Sequence, residues 1–200
     1  MTTFLLIRHG AHLLGGDRLA GNAPVQLSPL GHEQVAAMVD RVARVNVDAI
    51  YSSPIERTRQ TAAALTERLS LQVTYREELT EVGFGEWTGK TYEALGAYKQ
   101  WEQWNTFRSG SGAPGGERMI DVQRRIVGEM LRLWNVHPDQ TVALVSHGDV
   151  IKAAAAYFLG VPLDLFLRIE ISLASVTVIR LGHGGPWVLC VNGTGDVVMG

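Results

Sequence analysis

The sequence predicts an α/β fold: a three-layer sandwich on a mainly parallel central sheet, with a small helical insertion. Three observations carry this. Short apolar runs at residues 4–7, 47–52 and 141–146 read as strands buried on both faces. Segments with apolar residues at helical spacing alternate with them, which favours parallel strands joined by right-handed crossovers. Two of the strands also stop at the same dipeptide, His9-Gly10 and His147-Gly148.

The elements follow in order. Residues 10–28 lack periodicity and hold Gly10, Gly15, Gly16 and Gly21, so they form a loop. Ser28-Pro29 supplies an N-cap and a proline at the first helical position. Val35, Val39, Val42 and Ala43 then mark the buried face of the first helix. After the strand at 47–52, Ser53-Pro54 opens a second helix with Ile55, Ala62, Leu65 and Leu69 on its apolar face. A third strand covers residues 71–75.

Residues 76–116 read as a cap insertion that ends in a Gly/Ser/Pro loop over 109–116. Tyr98, Trp101, Trp104 and Phe107 recur every three residues there. They hold the insertion together, or one or two of them reach over a pocket and favour an apolar leaving group. A long helix over 117–135 presents Val122, Ile126, Met130 and Leu133. Asp149 caps a helix through Leu159, and runs at 173–181 and 187–191 form a hairpin across Gly182-His183-Gly184-Gly185-Pro186. No repeat or linker divides residues 1–200, which read as one domain.

Composition excludes several classes. The 200 residues are 46% hydrophobic and 19% charged, with a net charge of −2. That leaves no basic field for nucleic acid or an anionic membrane, so any bound anion needs a few local Arg or Lys residues. The single cysteine, Cys190, excludes an internal disulfide framework, suits a reducing compartment and reads as a buried structural thiol. The apolar run before Arg8 is too short for a signal peptide or membrane span, so the chain is expected to be cytoplasmic.

The chemistry centres on the strand ends. In a doubly wound sheet the carboxyl ends of the strands line the ligand crevice. His9 and His147 then share one edge, and the glycine after each lets a ligand approach the backbone. Arg8 precedes the first His, and Arg57 falls in the first turn of the helix after the second strand. A helix N-terminus with an Arg fork suits phosphate, and Ser53 adds a hydroxyl. Arg59 reads as solvated. A neutral imidazole attacks a phosphoryl group, and fixed arginines stabilise the spreading charge without a metal. They also lower the pKa of His9 and keep it nucleophilic.

Leu5-Leu6-Ile7-Arg8-His9-Gly10, Ser52-Ser53-Pro54 followed by Arg57-Thr58 and Gln60-Thr61-Ala62, and Val145-Ser146-His147-Gly148 together resemble the histidine phosphatase superfamily. The fold the resemblance implies is phosphoglycerate mutase-like. It implies His9 as nucleophile, Arg8, Arg57 and His147 as the phosphate pocket, and His147 among the catalytic groups. Leu79-Thr80-Glu81, leading to Gly85-Glu86-Trp87-Thr88-Gly89, resembles a further family stretch and implies Glu81 as proton donor and later base. Glu77 and Glu86 read as solvated. The resemblance also implies that Pro114-Gly115-Gly116-Glu117 borders the pocket.

The implied activity is a metal-independent phosphomonoesterase acting on a small phosphorylated metabolite through a phosphohistidine, with no cofactor and no assigned oligomeric partner. Two alternatives stay open: a cofactor-dependent phosphoglycerate mutase and a non-catalytic phosphate-binding protein. The stretch from Glu81 to His147 is shorter than in the mutases, which favours the hydrolase. One departure stands out. Where many members follow Arg-His-Gly with Glu-Thr and then a phosphate-contacting Asn, this chain has Ala11-His12-Leu13-Leu14-Gly15-Gly16. His12 and Asn22 are the candidate replacements. His32-Glu33 starts like a zinc-protease motif, but Ala36 stands where the second His is needed. His137 and His183 read as surface turn residues.

Overall fold

The computed structural model describes residues 1–199. Six strands, β1 (Thr2–Arg8), β2 (Ala49–Ser52), β3 (Val73–Tyr75), β4 (Thr141–Ser146), β5 (Val176–Gly182) and β6 (Gly185–Gly193), form one sheet in the order β3-β2-β4-β1-β5-β6. The first four are mutually parallel, while β5 and β6 run antiparallel to their neighbours. The predicted sandwich is therefore present, with a mainly parallel sheet and an antiparallel edge.

Strand geometry explains the three layers. Successive side chains of β1 point to opposite faces. Phe4 and Leu6 join a core with helices α5 (Met119–Val136) and α6 (Gly148–Leu159). Leu5 and Ile7 join a second core with α1 (Pro29–Val42) and α2 (Glu56–Leu69). All four β1 side chains are fully buried. Each contributes roughly 1.5–3 kcal/mol of transfer free energy before entropy is counted, which is why a continuous apolar run marks a central strand.

Helix α1 starts as the sequence indicates, with Ser28 Oγ accepting from Gly31 N–H at 3.1 Å and Pro29 in the first turn. Helix α2 starts later than expected, at Glu56, because Ser53 Oγ turns instead toward Ile55 N–H and His147. Asp149 is not a cap. His147 occupies the cap position of α6, and Asp149 in the first turn pairs with Arg108 at 3.5 Å. The hairpin loop shortens to His183-Gly184, and β5 begins only at Val176, after Ala174 with φ 54°.

Cys190 is half-buried rather than buried, since β6 is an edge strand. His183 is exposed. His137 is not a free surface residue: its ring meets Tyr51 Oη at 2.8 Å and Gln140 Oε1 at 2.6 Å.

Between β3 and α5 the chain adds no strand. It makes 3-10 turns at Glu77–Leu79 and Gly85–Trp87, then helices α3 (Tyr92–Gly96) and α4 (Lys99–Thr106). Trp104 is fully buried, with its ring edge-on to Phe84 and Trp87 at centroid distances of 6.2 and 6.0 Å. Trp87 meets Trp101 in the same way at 5.3 Å. Trp101 and Trp104 thus pack the segment itself, while Tyr98 and Phe107 are exposed. Among the described residues no helix is long and apolar enough to cross a membrane.

Candidate active site

Register brings the site together. Strands β1 and β4 are parallel neighbours with Arg8 opposite Ser146, so His9 and His147 leave the sheet side by side, ring centroids 5.2 Å apart. Strand β2 flanks β4 and delivers Arg57 from the first turn of α2.

Arg57 is 1% exposed and organises both rings. Its Nε lies 3.2 Å from His9 Nε2 and its Nη2 3.0 Å from His147 Nδ1. A guanidinium only donates, so both ring nitrogens accept. His9 Nδ1 therefore carries the proton and donates to the Gly10 carbonyl at 2.7 Å. His147 Nε2–H donates to Ser53 Oγ at 2.9 Å. Both imidazoles are neutral in this arrangement, and the Nε2 lone pair of His9 has a fixed direction. Burial first, then the Arg57 charge, holds both rings well below the ordinary histidine range.

Two further hydrogen bonds tie Arg57 to the Gly21 and Ala23 carbonyls, at 2.7 and 3.2 Å. Burial pulls its pKa down to about 10, so it stays cationic at neutral pH. Arg8 Nη1 donates to Ile171 O at 2.5 Å, while its buried Nε has no partner.

The glycines after the two histidines serve the scaffold. A Cβ at Gly10 would sit 2.4 Å from the Gly31 carbonyl oxygen, and one at Gly148 would sit 3.2 Å from Arg8 Cζ. The space at Gly10 seats α1, while Gly148 both seats Arg8 and lines the cavity beside His9.

Glu81 sits in a clamped loop. Arg125 donates to the carbonyls of Glu78 and Glu81 at 2.7 and 3.2 Å and pairs with Glu117 at 3.1 Å. Glu117 in turn accepts from Gly83 N–H at 2.8 Å. The Pro114–Glu117 loop therefore acts through the Glu81 loop, with Glu117 as a buttress. Burial, reinforced by Asp149 and opposed by Arg57, pushes the Glu81 carboxyl up to about 7. Glu77 and Glu86 are exposed, and so is Arg59.

Arg8, His9, Arg57 and Glu81 line one cavity of about 190 Å³. His147 is fully buried behind them. Of the two candidate replacements in the atypical loop, His12 lines this cavity, its ring 5.7 Å from His9. Asn22 instead lines separate surface grooves. Trp101 and Trp104 are absent from the lining, so the apolar-leaving-group expectation for them has no structural basis.

Sequence reasoning missed Arg18, Tyr92, Asp149 and Lys152, which also line the cavity. Lys152 had a legible signal, one helical turn beyond Gly148. Arg18 had none, because its loop is placed by pairing with Thr91 of the insertion. A larger groove of about 730 Å³ on α5 and α6, lined by residues such as Val127, Leu131 and Tyr157, lies apart from these groups. Among the described residues no cluster of three or more His, Cys, Asp or Glu could hold a metal ion.

Residues 4–194 match the sequence profile of the histidine phosphatase superfamily (branch 1). Phosphoserine phosphatase 1 of Hydrogenobacter thermophilus is 29% identical over 195 residues, covering 96% of this chain and 92% of that protein. The glucosyl-3-phosphoglycerate phosphatase of Mycolicibacterium vanbaalenii is 33% identical over 174 residues, 80% of this chain and 75% of that one. The chain also spans 54% of the length of a longer mycobacterial relative. Among solved structures, YhfR of Bacillus stearothermophilus superposes with a TM-score of 0.90 at 28% identity, covering 99% and 98% of the two chains. Profile, full-length relatives and fold agree, and the chain belongs to the histidine phosphatase superfamily, branch 1.

Proposed function

We propose that this protein hydrolyses a small phosphorylated metabolite by passing its phosphoryl group to Nε2 of His9 and then to water. The observation that carries the reading is the neutral imidazole of His9, its Nε2 kept deprotonated by the Arg57 N–H beside a cavity that both Arg8 and Arg57 line. That relatives carry phosphatase names supports it.

Nε2 of His9 attacks phosphorus and the P–O ester bond breaks. Glu81, protonated near neutral pH, gives its proton to the leaving oxygen. Arg8 and Arg57 hold the phosphoryl oxygens, with Arg57 exchanging its ring contacts for them as charge develops; His147, read from the sequence as part of the phosphate pocket, is buried behind Arg57 and backs its guanidinium. The Glu81 carboxylate then takes a proton from water, the new O–P bond forms, the N–P bond breaks, and phosphate leaves with His9 neutral again. The segment over 76–116 acts as the cap that supplies Glu81 and Tyr92. A reducing, cytoplasmic setting suits the free thiol of Cys190.

The arginines supply the charge stabilisation, so p-nitrophenyl phosphate should release phosphate at the same rate with and without EDTA. His9→Ala should abolish release. Full activity in that variant would overturn the reading, and bisphosphoglycerate-dependent interconversion of phosphoglycerates without net phosphate release would indicate a mutase instead.

A further inference from the structure

The cavity holds more positive charge than one phosphoryl group uses. Arg8 and Arg57 face the place of the phosphoryl group beside His9. Asp149 is offset by Arg108, whose guanidinium is 3.5 Å away, 3% exposed and held between the rings of Trp104 and Phe166 at 4.6 and 4.7 Å. Arg18 and Lys152 remain.

Lys152 is the sharper of the two. Its side chain is only 14% exposed, yet its ion contact among the described residues is Glu170 at 4.0 Å, a carboxylate that is itself 71% exposed. That distance is too long for a hydrogen bond. An ammonium carries three donors, and those of Lys152 are left to solvent or to a ligand in the cavity it lines. Helix α6 sets it in the cavity wall one turn beyond Gly148, the residue against which Arg8 packs. Arg18 is 45% exposed, with Asp17 at 4.0 Å and one donor spent on the Gly89 carbonyl at 3.2 Å, which leaves its remaining N–H groups for a ligand at the rim.

We propose that Lys152 is a specificity-determining residue that binds a second anionic group on the organic part of the phosphomonoester, with Arg18 contributing from the rim. Lys152 lines the same cavity of about 190 Å³ as Arg8, His9 and Arg57, which places that group close to the phosphate. Carboxylate and second phosphate share this chemistry. The proposal rests on the hydrolase reading above.

Matched esters test it. The kcat/KM of phosphoglycolate and of a short alkanediol bisphosphate is compared with that of 2-hydroxyethyl phosphate, which is similar in size but uncharged beyond its phosphate. Wild-type protein should prefer an acidic ester by on the order of 10- to 100-fold, the range of one charge-assisted hydrogen bond. The better of the two acidic esters identifies the group. Lys152→Met should collapse the acidic-to-neutral ratio toward one, Lys152→Arg should retain part of it, and Lys152→Glu should shift preference toward 2-aminoethyl phosphate.

Equal hydrolysis of acidic and neutral esters by wild type overturns the proposal and leaves the hydrolase standing. So does an equal loss on all esters in Lys152→Met. Failure of wild type to hydrolyse any ester would instead remove the hydrolase reading itself. The wild-type comparison requires no variant to fold.

Discussion

At the scale of residues, the candidate site is a problem of proton placement. Arg57 can only donate, and this fixes the proton on one nitrogen of each neighbouring ring. Glu81 poses the opposite problem, since it must hold a proton at a pH where an ordinary carboxylate has lost it. Burial is the largest cause of that shift and Asp149 the next, taking the group to about 7. Protonated Glu81 donates to the leaving oxygen, so kcat/KM should fall as pH rises through that value. His9 must be neutral, and its lowered pKa puts the acidic limb below the ordinary histidine range. Asp149→Asn removes a negative neighbour and leaves Arg108 uncompensated; both effects favour the carboxylate. The alkaline limb should therefore move to lower pH. Comparing variant and wild type on one ester cancels the ester's own ionisation, and an unmoved limb would show that Asp149 does not act on Glu81. The strand-end residues Arg8, His9 and His147 were legible in the sequence because each follows an apolar run, and Arg57 because it opens a helix. Lys152 was legible only through its place one helical turn beyond Gly148, and Asp149 was not, since exposure is set by what packs across from a residue and periodicity is silent on that.

At the scale of elements, the close seat of α1 on the loop after β1 holds Arg8 and His9 in place. Gly31 has an ordinary backbone conformation, but a Cβ there would stand 1.9 Å from the Ala11 carbonyl oxygen. Backbone cannot yield as a flexible side chain can. Gly31→Ala should push the start of α1 off the loop, break the contact between Ser28 N–H and Ala11 O, and cost about 1–3 kcal/mol, the usual range for overpacking. Urea unfolding measures this as a lower midpoint at unchanged slope; an unchanged midpoint would show that the two segments separate freely. Helix starts show what local sequence does and does not determine. Ser28 caps α1 with its own hydroxyl, a local event that the sequence reports. Ser53 looks equally like a cap, but its hydroxyl is engaged by His147, which arrives from far along the chain. Asp149 fails as a cap for the same kind of reason, because Arg108 comes from the insertion to meet it. Cys190 was read as buried from its apolar neighbours, which identify a strand and not whether it lies at the sheet edge.

At the scale of the molecule, the strand order places β4 between β2 and β1, and this alone makes one cluster of Arg8, His9, Arg57 and His147. The chain carries a net charge of −2, yet Arg8, Arg18, Arg57 and Lys152 line one small cavity, with Arg8 and Arg57 at its His9 end. Their repulsion is visible in Arg57, whose pKa Arg8 helps to lower. Folding therefore holds like charges together, and an anion between them should relieve part of that cost. Any ligand that binds only the folded state stabilises it by mass action, by about 2.7 kcal/mol at a concentration one hundred times its Kd. For a chain of this size that corresponds to a rise in Tm of roughly 5–10 °C. Inorganic phosphate should produce such a rise, saturating with concentration, where chloride at equal ionic strength produces much less. Arg57→Ala should lose most of the phosphate-dependent rise, because the dianion then meets one arginine beside His9 instead of two. Phosphate and chloride giving equal shifts in wild-type protein would mean general screening of the surface, and the cavity would not be an anion site.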